Sequence, residues 1–370
     1  MKKEEIHTID NKSLDYYIPT FTNISDWQID NQYNTGGSRS KKIVTDLASG
    51  DIYFYKASKV DKMGEIRYPL EFWSEIVSSK IGQLLGLNIL DYNIAYEEND
   101  RQPVGCLSKS MVNFDKNKLT EGISYLIGYD VEYNPEVDKE KYTFQFIQKS
   151  LRSVKFDEYL SNFVEMLVFD AFISNSDRHQ ENWGFITLYQ ELIKELEIGE
   201  NHEDFSRWNR FTYKHLKRFI MYVRRKDMAN KKFALSLQRV APNKFSPIYD
   251  SGCCLGREVT DKKVEQYLKD QQALESYIKK GTSEVHWEGI KKKPNHFLLL
   301  EKLMPEYGKT IKAVIGRCIE SFDEHIVSQI INNIDAKLPE HLSKYKLPNE
   351  RKQLMIKILT LRLQKLKELI

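Results

Sequence analysis

The chain reads Asp177-Arg178-His179-Gln180-Glu181-Asn182 directly after a strongly apolar run, Phe163 to Ile173. An aspartate and an asparagine thus stand five positions apart, just past a segment that must be buried. Phosphoryl transfer uses such a pair: a carboxylate to accept the proton of an attacking hydroxyl, and an amide oxygen to help hold a magnesium ion. Further on, Pro247-Ile248-Tyr249-Asp250-Ser251-Gly252 supplies a second aspartate in a strand-then-turn setting, which suits the main metal ligand. One aspartate near one asparagine says little, but the ordered combination points to a kinase.

Composition sets the frame. The 370 residues suffice for two lobes with a cleft between them, and 41% hydrophobic with 12% aromatic content supports a real core. A net charge of +3 is too small to argue for nucleic acid as a partner. No stretch approaches the roughly 20 apolar residues of a membrane span. Met1-Lys2-Lys3-Glu4-Glu5 lacks the apolar core of a signal peptide. Cys106, Cys253, Cys254 and Cys318 show no zinc or disulfide spacing, and Cys253-Cys254 reads as small residues packed beneath a cleft. The expected location is cytoplasmic, or a host cell if the chain is exported without a classical signal.

Around the opening motif the pattern divides. Residues 1–32 read as an irregular arm, 33–115 as a β-rich lobe, and 116–370 as a helical lobe carrying an insertion at about 189–245. Ile43 to Leu47 and Asp51 to Ala57 flank a turn and predict a hairpin. A helix is predicted from Pro69 to Leu85, then strands at Tyr92–Tyr96 and Val104–Met111. Asp157 to Ser174 wraps apolar residues around a helix. Further helices are expected at Lys262–Lys280, Lys309–Glu320, Asp323–Ile334 and Glu350–Ile370. The last reads as a docked terminal helix with a solvated face, a membrane-surface helix being the alternative.

Several residues join the two aspartates. Gly36-Gly37, followed by Ser38, lets backbone N–H groups approach phosphates, although the Walker spacing is absent. Lys56 falls on the inward face of its strand, where a buried ammonium needs anionic partners. Glu75 is the expected helix carboxylate that pairs with it, with Glu71 as competitor. Asp177 would orient and deprotonate the attacking hydroxyl. Arg178 and His179 belong to the same catalytic loop, His179 either holding it or touching the transferring phosphate. Asn182 and Asp250 would hold Mg2+, and Trp183 to Ile186 would continue as a strand.

With these residues in place, the chain resembles the HipA-like family of serine/threonine protein kinases. Asn175 to Phe185 looks like that family's catalytic loop, especially in its short proinflammatory-kinase (CtkA-like) branch, and Ser246 to Gly252 looks like its metal-binding segment. The resemblance runs in order over about residues 33–335, with Lys56, Glu75 and Gly36-Gly37 matched by position. It implies an α+β, two-lobed protein-kinase-like fold with a small β-rich amino-terminal lobe and a larger helical one. It also implies ATP and Mg2+ as cofactors and phosphorylation of protein hydroxyls, including its own. Family kinases can be silenced by phosphate on a glycine-loop serine; Ser38 is the first candidate here, then Thr35 and Ser40.

Two departures limit the transfer. Longer HipA toxins carry an extra domain before the glycine loop, where this chain has about 35 residues. Antitoxin binding through that domain is therefore not carried over, and an antitoxin or other regulator stays open as a partner. Second, Asn182 and Asp250 are 68 positions apart (250 minus 182), and the excess forms the insertion. Its first half is acidic and its second basic, so a strand pair with solvated lysines and a docking surface for an acidic substrate or nucleic acid are both open. The alternatives for the whole chain are a lipid or small-molecule kinase, since phosphatidylinositol-type kinases share the Asp-Arg-His-x-x-Asn pattern, and a non-catalytic nucleotide-binding module.

Overall fold

Six short strands build the first layer. They are β1 (Phe21–Asn23), β2 (Gln28–Asp30), β3 (Lys41–Thr45), β4 (Ile52–Lys56), β5 (Asn93–Tyr96) and β6 (Val104–Lys109). They form one sheet in the order β1-β5-β6-β4-β3-β2, antiparallel except where β1 runs parallel to β5. A computed structural model supplies these coordinates and describes residues 13–30, 41–58, 65–66, 68–113, 116–200, 206–225, 235, 238 and 241–370. The Gly36-Gly37 loop with Thr35, Ser38 and Ser40 lies outside the described residues.

The expected hairpin is present, with Lys41 opposite Lys56. Its turn closes where Gly50 takes φ +72° and the Asp46 carboxylate accepts from Ala48 N–H and Ser49 Oγ–H. The described part of the expected irregular arm differs from that expectation: β1 and β2 are the two edge strands of the sheet. At three residues each they are too short to show alternation, and their pairing partners decide their conformation.

Helix α1 (Glu71–Leu84) packs against the sheet and is buried from Glu71 through Gly82. It ends at Gly86, whose φ of +68° allows Leu87 N–H to reach back to the Gly82 carbonyl. The next residues pair with the far motif: Leu90 N–H donates to Ile248 O at 2.9 Å, and Ile248 N–H to Asn88 O at 2.8 Å. This short parallel bridge fixes the chain just before Asp250 against the amino-terminal lobe.

The second lobe opens with β7 (Lys118–Glu121), α2 (Gly122–Tyr129), α3 (Phe144–Ser153) and α4 (Leu160–Ile173). In α4, Phe163, Val164, Val168, Phe169, Phe172 and Ile173 are all fully buried, as expected of a helix apolar on every side. β8 (Gly184–Thr187) then pairs with β7, and across the insertion with β9 (Asn243–Phe245). The insertion leaves and rejoins this sheet at adjacent points, Leu188 N–H donating to Pro242 O, so it perturbs little. Among its described residues are the helices α5 (Tyr189–Glu200) and α6 (Arg207–Arg225), where a strand pair was one of the two expectations.

The remaining helices are α7 (Asp261–Lys269), α8 (Gln271–Lys280), α9 (His296–Ser321), α10 (Glu324–Asn332) and α11 (Asn349–Lys367). The helix expected over Lys262–Lys280 is two, divided at Asp270, whose carboxylate caps the second through Ala273 N–H. The helix expected to begin at Lys309 begins at His296. It runs through Pro305 with a kink at Tyr307, so the proline bends it instead of starting it. The terminal helix α11 is docked: Leu354, Ile358, Leu359 and Arg362 are buried, and Lys352 meets Asp335 at 2.8 Å. One apolar cluster joins Phe72, Trp73 and Ile76 of α1 to Phe163 and Phe169 of α4 and Ile358 of α11, so the lobes share a core.

Candidate active site

The site begins where α4 stops. Ser174 takes a left-handed conformation (φ 62°, ψ 40°), and Asn175 N–H returns to the Asp170 carbonyl, which turns the chain sharply into the loop. The buried Arg178 guanidinium then organises that loop. It holds Asp170 bidentately at 2.9 and 2.7 Å, donates to the Asn182 and Tyr249 carbonyls, and reaches Ser251 Oγ at 2.9 Å. Burial opposes its charge, but Asp170 beside it holds it protonated above the ordinary arginine range. Arg178 thereby ties the segment 177–182 to the segment 249–251 and does not face the cleft.

Asp250 adopts φ +56°, a strained angle that aspartate tolerates better than most residues. Its carboxylate receives Lys56 Nζ at 3.1 Å and Lys41 Nζ at 3.0 Å. Lys56 is buried, and its second neighbour is Glu75 Oε2 at 3.8 Å. Although burial opposes the charge, Asp250 and Glu75 hold this ammonium protonated well above the usual lysine range. Glu75 Oε1 accepts from Ser251 N–H at 2.9 Å, so α1 grips the segment around Asp250 directly. Glu71 pairs instead with Arg257 at 3.2 Å. Gly105 is required on the strand beside Lys56, because a Cβ there would lie 2.3 Å from the Lys56 carbonyl oxygen.

Asp177 is half-buried at the loop's crest. Its Oδ2 accepts from the Cys253 thiol at 3.2 Å, and that sulfur accepts from Arg257 Nη2 at 2.9 Å. Asn182 donates its side-chain N–H to the Asp177 carbonyl, leaving Oδ1 as the acceptor end of its amide. His179 is partly exposed, with Nδ1 accepting from Glu181 N–H at 3.3 Å and lying 3.9 Å from Glu181 Oε2, both contacts within the loop. Lys56, Glu75 and Asp250 thus form one ion-paired group, and Asp177 with Asn182 forms a second, joined to the first through the chain from Asp250 to Cys253.

No group of three or more His, Cys, Asp or Glu suited to a metal occurs among the described residues. A magnesium site needs less than that, since one or two carboxylates plus phosphate and water oxygens complete its shell. The Asp250 carboxylate and the Asn182 amide oxygen are hard donors of that kind, and two lysines beside them suit phosphate. The residues present fit a magnesium-nucleotide.

Sequence reading alone does not pick out Lys41, Asp170, Glu121 or Arg257, because each acts through a partner distant in the chain. Asp170 carried one available signal, a carboxylate inside an otherwise apolar helix. Glu121 sits near Glu181 and Asp250; burial, then the Glu181 charge, pushes its carboxyl up to about 7. A carboxyl raised on folding binds more protons when folded, so its contribution to stability falls as pH rises from 4.5 through about 7. Glu121→Gln is therefore expected to stabilise the chain above pH 7, on the order of 1–2 kcal/mol after allowing for its solvent-facing part, and to do little at pH 5. Thermal melts at the two pH values check this; an equal shift at both would refute it.

Behind the loop, neutral His296 accepts from Arg362 at Nδ1 (3.0 Å) and donates from Nε2 to the Asn175 carbonyl at 2.7 Å. Burial, then the Arg362 charge, pushes its imidazolium down to about 3. The terminal helix thus braces the residue that opens the loop carrying Asp177 and Asn182.

These features define a protein-kinase-like fold: a small sheet with one buried helix above a helical lobe, the polar groups meeting between them. The chain has the fold of the Helicobacter pylori proinflammatory kinase CtkA, with a TM-score of 0.62 at 17% identity, over 94% of this chain and 95% of that one. A MAP kinase of Leishmania major also aligns, over 92% of this chain and 94% of its own at 11% identity, but its TM-score of 0.22 carries no argument. No family profile and no curated protein sequence matches the chain. Among the described residues no helix is long and apolar enough to cross a membrane.

Proposed function

We propose that this chain is an ATP- and Mg2+-dependent serine/threonine protein kinase of HipA-like type, acting on hydroxyls of another protein and of itself. The observation that carries the reading is that Lys56 and Glu75 engage Asp250 and Ser251, while the Asp177 carboxylate accepts from the thiol of Cys253, two residues further along the same segment. Glu75 and Asp250 keep Lys56 charged and aimed, so that it can bind phosphate oxygens. Bound magnesium would neutralise phosphate charge, and Asn182 and Asp250 are the residues that would hold it. Asp177 orients the attacking hydroxyl and accepts its proton. The Cys253 thiol occupies one of its carboxylate oxygens and leaves the other for that proton.

Labelled-ATP transfer tests the reading. Wild-type protein with a mixed protein acceptor is expected to incorporate label, while Asp177→Ala and Asp250→Ala are not. Equal label in all three would defeat the enzymatic reading, and label appearing only on phosphoinositide vesicles would move the substrate class to lipid.

The Cys253 contact supports a finer expectation. Cys253→Ser, which keeps a donor to Asp177, should retain most of kcat, while Cys253→Ala should lower kcat several-fold at unchanged KM for ATP. Steady-state kinetics of both variants decide it: equal kcat in the two would remove the thiol from the mechanism.

A further inference from the structure

Helix α6 presents a surface that the proposed phosphotransfer does not use. Its hairpin with α5 has a small apolar cluster of its own, Tyr189, Leu192, Leu196, Ile220 and Ala241, separate from the main core. Only one side of α6 faces that cluster. On the other, Trp208 is 74% exposed, Phe211 53%, and Phe219 and Leu216 40% each. Trp208, Phe211, His215 and Phe219 recur at three- and four-residue spacing and so share one face. The rings are ordered along it, Trp208 stacking on Phe211 with centroids 5.9 Å apart and Phe211 lying 4.1 Å from His215. Arg210, Lys214 and Arg218, all exposed, form a ridge beside this stripe at four-residue spacing. The 19-residue helix contains no aspartate or glutamate.

We propose that α6 is a membrane-surface helix, which seats its aromatic stripe at the interface of an anionic lipid bilayer while Arg210, Lys214 and Arg218 meet the headgroups. Large exposed aromatic groups on one helix face mark an interaction site. Tryptophan and phenylalanine beside a wholly basic ridge match the water–lipid boundary, where rings sit at headgroup depth and cations find phosphate. Charge complementarity selects an anionic leaflet. The surface is a single convex helix, whereas single-stranded nucleic acid needs a groove with stacking platforms. The other lysine-rich helix with an apolar stripe, α11, lacks this surface because its apolar residues are buried in the core.

Cosedimentation of the full chain with vesicles tests the proposal. Binding is expected to phosphatidylcholine vesicles containing phosphatidylserine, weakening with salt, and not to phosphatidylcholine alone. Trp208→Ala with Phe211→Ala should abolish it. Arg210→Gln, Lys214→Gln and Arg218→Gln together should weaken it about a hundredfold, at roughly five-fold for each basic side chain near the surface. All substituted side chains are exposed, and circular dichroism should be unchanged. Failure of wild type to bind anionic vesicles, or equal binding by both variants, overturns the proposal. Binding to single-stranded RNA or polyglutamate through these residues, without vesicle binding, would also overturn it and assign the face to that partner. None of these readouts depends on phosphotransfer.

Discussion

Asp177→Ala is expected to reduce labelled-phosphate transfer about a hundred- to ten-thousandfold, the range for loss of a positioned general base. The fold should survive, because Asp177 is half-buried and its carboxylate accepts from the Cys253 thiol, a weak donor. The Asn182 amide donates to the Asp177 main-chain carbonyl, which alanine keeps, so the loop should hold its shape. Nucleotide affinity should change little, since Lys56, Glu75 and Asp250 are untouched. The signature is a collapse of kcat with an unchanged melting temperature and an ATP dissociation constant within a few-fold of wild type. A variant retaining a tenth or more of wild-type turnover would remove Asp177 from its assigned role and shift suspicion to His179.

Arg178→Met is expected to produce the largest loss of stability among the site residues. It removes the fork that neutralises Asp170, which is 2% exposed, and leaves that interior carboxylate with the Asn175 amide at 2.8 Å and no counter-charge. Breaking one half of a buried ion pair typically costs about 3–5 kcal/mol, a large part of the stability of any domain. Three further acceptors, the carbonyls of Asn182 and Tyr249 and the Ser251 hydroxyl, lose their donor as well. Arg178→Lys should not rescue, because a single ammonium cannot reproduce the planar fork. Asp170→Leu combined with Arg178→Met should recover part of the stability without recovering transfer, since the link between the two catalytic segments stays broken. Urea denaturation of the three variants measures this. A loss under about 1 kcal/mol for Arg178→Met would show that the pair is not the clamp described above.

The same residue shows where linear reading stops. The motif puts Arg178 among the catalytic candidates by its neighbours; the contacts of its buried side chain are with Asp170 eight positions upstream and Ser251 far downstream, which no local pattern shows. Sequence reading puts Glu75 first as the partner of Lys56, with Glu71 one turn earlier as its competitor. Burial of the whole helix left no polar face to separate them, and they divide only because Ser251 and Lys56 lie near one while Arg257 lies near the other. The edge strands β1 and β2, the early start of α9 and the helical insertion were hidden for a related reason. Short strands and a proline-containing helix carry weak local periodicity, while in the insertion the segregated charge masks the three- and four-residue spacing of its apolar residues.

By itself, the sequence determined the two-lobed plan, because hydrophobic period and turn residues are local properties: a strand alternates, a helix repeats every three to four residues, and the apolar α4 had to be interior. It also supplied the candidate side chains for the proposed phosphoryl transfer, since carboxylate, amide and ammonium are chemical identities. Only the tertiary structure decided their mutual use. The sharing of Asp250 by two lysines, the Asp170 clamp and the thiol against Asp177 are distances between segments far apart in the chain. Such distances follow from how the shared core packs the lobes together and from no pattern along the chain.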